Sequence, residues 1–173
     1  MSNANTWYSI RRKTPVAAAA AGVQSAAEIF IYGDIGESWW SESVSAAQFV
    51  KDIAAIDSAE ITIRINSIGG SVPDGIAIYN AIKRHKAATT TVIDGLAASI
   101  SSLIALAGDK VEMAENATMM IHAPWTYAAG NSAELRDTAD LLDTWAEAMA
   151  TSYASKTGKT TAEIMVLMTD GKD

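Results

Sequence analysis

The chain has 173 residues, a net charge of −7 and hydrophobic side chains at 49% of its positions, which fits a folded domain with a sizeable core rather than a disordered chain. It has no cysteine, which excludes disulfides, thiol catalysis and cysteine metal sites, and only two histidines, His85 and His122, so a histidine-rich metal centre is not expected. The acidic balance argues against a nucleic-acid partner, because phosphate binding needs clustered Lys and Arg.

In chain order, "IRRKTPVAAAAAGV" has a basic head and an apolar part that is nearly all Ala, broken by Pro15 and Gly22. It reads as a connector rather than a secretory signal. Residues 1–27 are therefore expected to supply an N-terminal strand and an Ala-rich connector, and residues 28–173 the main domain. "EIFIYGDIG" (28–36) predicts a strand running into a Gly-rich turn. "SAAQFVKDIAAID" (45–57) predicts a helix, with Ser45 and Gln48 in capping-box spacing and Phe49, Ile53 and Ile56 at helical intervals. "EITIRIN" (60–66) alternates strictly, so Ile61, Ile63 and Ile65 face one way along a strand. A turn cluster, "SIGGSVPDG", precedes a helix over 76–85, and the β-branched run "TTTVID" (89–94) predicts a further strand.

"DGLAASISSLIALAGD" (94–109) reads as a helix stopped by Gly108. "KVEMAE" and "ATMMIHA" are two more short strands. Asn131 with Glu134 opens a long helix over 132–156, with Leu135, Leu142, Trp145, Met149 and Tyr153 in one stripe; "TGK" ends it. No run reaches the roughly 18 apolar residues that span a membrane. Repeated strand–helix alternation predicts an α/β domain with a largely parallel sheet and crossover helices.

Two strand ends carry candidate chemistry. After strand 60–66, adjacent glycines in "NSIGGSV" leave backbone N–H groups open to a ligand oxygen, although a Gly-Gly pair is ordinarily a turn. After strand 89–94, Ser99 stands at a helix start, where serine is ordinarily a cap. His122 ends the strand "TMMIH" before Ala-Pro, at the carboxyl edge where α/β sheets bind ligands, and a hydroxyl nucleophile needs such a base. His85, in the basic "KRHK", reads instead as a solvated helix-end residue.

"INSIGGSVPDGIAIYNAI", "GLAASISSLIALAGD" and "MMIHAPW", in this order and spacing, resemble the Clp protease proteolytic subunit family of self-compartmentalising serine peptidases. With "IYGDIGESWW" and "GDKVEMAEN", the resemblance is nearest to the bacteriophage Clp-like head maturation proteases, and it covers about residues 28 to 173. It implies the Clp protease/crotonase fold of repeated β-β-α units with crossover helices and a long handle helix. It also implies Ser99 as nucleophile, His122 as general base, and the N–H groups of Gly70 and Ile100 as the oxyanion hole. Ser101 and Ser102 receive no role from it. The acid of the triad is expected at Asp173, with Asp170 as the alternative; the family spacing falls on Gly171, a departure, and the family's final segment is absent after Asp173. The family's Pro before Gly-Gly is replaced by Ile68.

The resemblance further implies a protein or peptide substrate, such as a capsid or scaffold protein, a homo-oligomeric ring stacked through the handle helix, and any ATPase on a separate chain. No cofactor, metal, nucleic acid or membrane is implied, and the expected location is the cytoplasm. The alternatives are a catalytically inactive assembly subunit of the same fold and a crotonase-type acyl-CoA enzyme.

Overall fold

A computed structural model describes residues 7–13, 26–36 and 45–170. In chain order these form β1 (Tyr8–Lys13), β2 (Ala26–Tyr32), α1 (Ala46–Ala54), β3 (Glu60–Ser67), α2 (Val72–Lys83), β4 (Ala88–Ala98), α3 (Ile100–Ala105), β5 (Lys110–Met113), β6 (Thr118–Met120), α4 (Ser132–Thr157) and α5 (Thr161–Thr169). The six strands make one sheet in the order β1-β2-β3-β4-β5, with β6 also paired to β4. β1 is antiparallel to β2 and every other pairing is parallel, the mixed α/β class expected. Two compact units divide after Met120: the first holds the sheet and α1–α3, the second α4 and α5.

The isoleucine alternation builds the core of the first unit. Ile29 and Ile31 of β2, Ile61, Ile63 and Ile65 of β3, and Ile93 of β4 are all buried, as are Phe49, Ile53, Ile78 and Ile82 of α1 and α2. Burying such a side chain contributes roughly 1.5–3 kcal/mol. α1 packs on α2, α2 on α3, and α3 on β3 and β4. β1 is fastened by aromatics: Trp7 stacks on Phe49, Tyr8 meets the Phe49 ring edge-on, and the Tyr8 hydroxyl donates to Asp52 Oδ2 at 2.7 Å.

Three local expectations change. Ser45 is the N-cap of α1, but its side chain makes no capping bond, and Gln48 Nε2 donates to Asp52 Oδ1 at 2.7 Å instead of closing a capping box. α2 begins at Val72, earlier than 76, because Ser71 Oγ accepts the Asp74 N–H and Pro73 suits the first turn. Residues 94–98 stay in β4 rather than joining a helix, because Leu96–Ala98 gain a strand partner in β6.

In the second unit, Asn131 and Glu134 form the expected capping box, and Gly158 closes α4 in the left-handed conformation. Helix α5 has no counterpart among the predicted elements. Thr160 and Glu163 cap it reciprocally, and the Thr160 N–H and hydroxyl hold the Glu163 carboxyl below its ordinary pKa. The stripe on α4 divides. Met149 and Tyr153 are buried with Ala146 and Ala150, whereas no residue of Ser132–Trp145 is buried. No helix among the described residues is long and apolar enough to cross a membrane.

Candidate active site

The site begins with an irregularity between two strands. β3 and β4 stay in register up to Ile65–Ile93 and resume at Ser67–Ala97, so Asn66 alone faces three residues of β4. Its side-chain oxygen accepts the Leu96 N–H at 3.2 Å, replacing a lost ladder bond. Arg64 grips Asp94 through Nε at 2.9 Å and again through Nη2, and the Tyr32 hydroxyl donates to the same carboxylate at 2.6 Å. Burial, and then the bond to Asp94, push the Tyr32 phenol above its ordinary pKa. A bulge increases local twist and re-aims the chain that follows. Here that chain is Ala97–Ala98–Ser99.

Ser99 is the turn between β4 and α3. Its φ of 55° and ψ of −133° make it the one non-glycine residue with positive φ among the described residues. Such a conformation costs about 1–3 kcal/mol and persists only where its surroundings over-determine it. The Ser99 N–H donates to Met120 O at 3.0 Å, which anchors the turn to β6. Although Ser99 holds the N-cap position, its side chain makes no cap bond, so the ordinary use of a helix-start serine does not account for it. Behind it, every residue of α3 is buried.

The glycine loop meets this turn. Ile35 N–H donates to Gly69 O at 2.8 Å and Ser71 N–H to Ile35 O at 2.9 Å. That bridge uses the groups on either side of Gly70 and not the Gly70 N–H itself. Gly69, at φ 103°, lies so close to the elbow that a methyl there would stand 2.7 Å from Ser99 Cβ and 2.9 Å from Ala98 O. Ile100 opens α3, where a first-turn N–H has no intrahelical acceptor. Of the predicted site residues, the structure thus brings together Ser99, Ile100 and the Gly69–Gly70 loop.

In the second unit, His122 is half-buried, and the next residue, Ala123, donates its N–H to Met168 O at 2.9 Å. This fastens the His122 segment to the last turn of α5, whose C-cap is Asp170. Asp173 lies outside the described residues. His85 Nδ1 accepts the Ala87 N–H at 3.1 Å and borders a cavity of about 310 Å³ between α1 and α2. Ile68 is 64% exposed beside the glycine loop. Among the described residues, no three His, Asp or Glu side chains gather as metal ligands.

Ser67 and Ser101 stand outside the predicted site residues. Both are buried, and their hydroxyls join the glycine loop to the elbow. The only signal in the sequence is the serine pair 101–102 within the otherwise apolar run "ISSLIALA".

A family model described as Clp protease matches residues 14–171. The chain is similar to the ATP-dependent Clp protease proteolytic subunit of Pleurastrum terricola, at 34% identity over 133 residues, 76% of this chain and 67% of that one. It is similar to the protein of the same name from Leuconostoc citreum (strain KM20), at 35% over 106 residues, 60% and 52% of the two chains. It is also similar to the ATP-dependent Clp protease proteolytic subunit 1 of Synechococcus sp. (strain CC9902), at 32% over 129 residues, 72% and 66%. The chain spans about half to two thirds of the length of these curated relatives.

Proposed function

The chain belongs to the Clp protease family, and from that premise we propose that it is a serine endopeptidase acting through an acyl-enzyme. Ser99 Oγ attacks the scissile carbonyl carbon while His122 takes the hydroxyl proton. The resulting oxyanion accepts hydrogen bonds from the N–H groups of Gly70 and Ile100. Collapse of the tetrahedral species breaks the C–N bond, and His122 passes its proton to the departing amine. Water, deprotonated by His122, then attacks the ester carbonyl; the bond to Ser99 Oγ breaks and His122 returns the proton to that oxygen, releasing the carboxylic acid. An aspartate, Asp173 or Asp170, orients the imidazole. Losing one oxyanion donor commonly costs about 3 kcal/mol of barrier.

One observation carries this reading: a strained serine at a strand end, not used as a cap, set against a glycine loop. A serine on a sharp strand-to-helix turn presents its hydroxyl outward, which a cap does not need. Labelling with a fluorophosphonate probe tests it. The adduct is expected on Ser99 alone, by mass spectrometry of the digested protein. An adduct on Ser101 or Ser102, or undiminished labelling of Ser99→Ala, sinks the reading. A folded chain that takes no label would return the choice to an inactive assembly subunit or an acyl-CoA enzyme.

We also propose that the chain assembles with copies of itself as a ring or stacked rings. The first half of α4 leaves Leu135 and Leu141 43% and 46% exposed, apolar surface that a second copy can cover. Light scattering is expected to give a mass several times 18.2 kDa, and Leu135→Glu to lower it without unfolding the chain. A monodisperse species at the single-chain mass counts against the ring. The substrate is a protein or peptide chain, for which a capsid or scaffold protein is the first choice from the resemblance to phage enzymes. Any ATPase that delivers it would be a separate chain.

A further inference from the structure

We infer that Ser101, with Ser67 as its relay, is a positioning residue that holds the Gly70 and Ile100 amides at the separation an oxyanion requires; this rests on the peptidase reading above. Ser101 has no exposed surface. Its Oγ lies 2.8 Å from Ser67 O and 2.7 Å from Ala98 O, so a single hydroxyl proton is shared between the two carbonyls. Ala98 immediately precedes Ser99, and Ser67 stands three residues before Gly70. That shared bond therefore ties the backbone of the glycine loop to the backbone of the elbow.

Ser67 extends the tie. Its own Oγ donates to Gly33 O at 2.6 Å and accepts the Gly69 N–H at 3.1 Å. The Ile68–Gly69 peptide, one unit before the peptide that carries the Gly70 N–H, is thus oriented by Ser67, and the Ser67 carbonyl is held by Ser101. A serine in a helix satisfies itself with a carbonyl one turn back, here Ala98 O. The additional reach to Ser67 O is not needed for that local bond. Its consequence lies at the donors, which must stand about 2.7–3.1 Å from the developing oxyanion. A misplacement of about 1 Å can cost about 100-fold in rate.

The test is steady-state kinetics on a fluorogenic peptide, with Ser101→Ala, Ser101→Cys and Thr91→Val. Thr91 is an equally buried hydroxyl at the other end of α3, donating to Ala105 O at 2.5 Å and Lys110 O at 3.3 Å, and so controls for stability lost with a buried hydrogen bond. For Ser101→Ala, kcat is expected to fall roughly 10- to 100-fold, with KM within about twofold. Binding of a peptide boronic acid, which forms a tetrahedral adduct, should weaken by the same factor. Ser101→Cys keeps a weak donor of similar shape and should recover part of kcat. Thr91→Val should lower the melting temperature but not kcat.

Ser101→Ala with kcat within twofold of the parent overturns the inference. So does an equal kcat loss in Thr91→Val. If Ser101→Ala does not fold, Ser101→Gly, which also removes the hydroxyl, carries the same criterion: an unchanged kcat and unchanged boronic acid affinity overturn it. A parent chain whose turnover survives Ser99→Ala fails the peptidase reading and this one together. An active parent, an inactive Ser99→Ala and a normal Ser101→Ala fail this one alone.

Discussion

Replacing Ser99 with alanine is expected to lower peptide turnover by about 10⁴- to 10⁶-fold. His122→Ala should cost a comparable amount, and the double variant little more than either, because nucleophile and base act as a unit. A double variant that loses the product of the two single effects would show that the residues act independently, contrary to the mechanism. The turn at Ser99 also predicts a separation of activity from stability. The φ of 55° is unfavourable for serine and alanine but open to glycine. Ser99→Gly should be as inactive as Ser99→Ala yet melt at a higher temperature. Relief of about 1–3 kcal/mol of strain outweighs the roughly 0.4–1 kcal/mol of unfolded-chain entropy that glycine adds. Equal melting temperatures would mean that the turn stores no strain.

Gly69→Ala is the second large effect. At φ 103° an alanine is strained by itself, by about 1–3 kcal/mol. Its methyl would also stand 2.7 Å from Ser99 Cβ and 2.9 Å from Ala98 O, closer than such atoms approach; the Ser99 N–H is bonded to Met120 O and Ala98 O accepts the Ser101 hydroxyl. The loop and the elbow must move apart, which carries the Gly70 amide away from the Ile100 amide. A fall in kcat/KM of about 100-fold or more follows from a displacement near 1 Å. Gly158→Ala separates the two causes. Gly158 has a positive φ of 73° at the end of α4, but a methyl there meets nothing within 4 Å. It should lose stability and keep turnover. Gly69→Ala with full activity would remove the glycine loop from the site.

The arrangement links strain to support. The bulge opposite Asn66 aims the end of β4, and the Arg64–Asp94 pair holds that bulge from the side. Met120 O, reached from a strand twenty residues further along, receives the Ser99 N–H. Each is a polar contact between elements distant in sequence. Together they keep in place a backbone conformation that Ser99 would not adopt by itself.

Periodicity and end signals were legible in the sequence because they are local. The alternation of Ile61, Ile63 and Ile65 set which face of β3 is buried, since side chains on a strand alternate whatever the neighbours are. Asn131 with Glu134 and the glycine at 158 marked both ends of α4, because capping is satisfied within four residues. The ordered motifs pointed to the family and to Ser99 with the glycine loop. What the tertiary structure decided was non-local. Ser45 has the residue type of a cap but makes no cap bond, and Gln48 bonds Asp52 instead. Residues 94–98 extend β4 because β6, more than twenty residues further on, lies alongside to pair with Leu96–Ala98. The α4 stripe is even in the sequence, yet only its second half is buried, a division that depends on what packs there. The bond from Ser101 to Ser67 spans 34 positions. No pattern of spacing encodes it, because a hydroxyl's partner is chosen by where the chain returns in space and not by its neighbours along it.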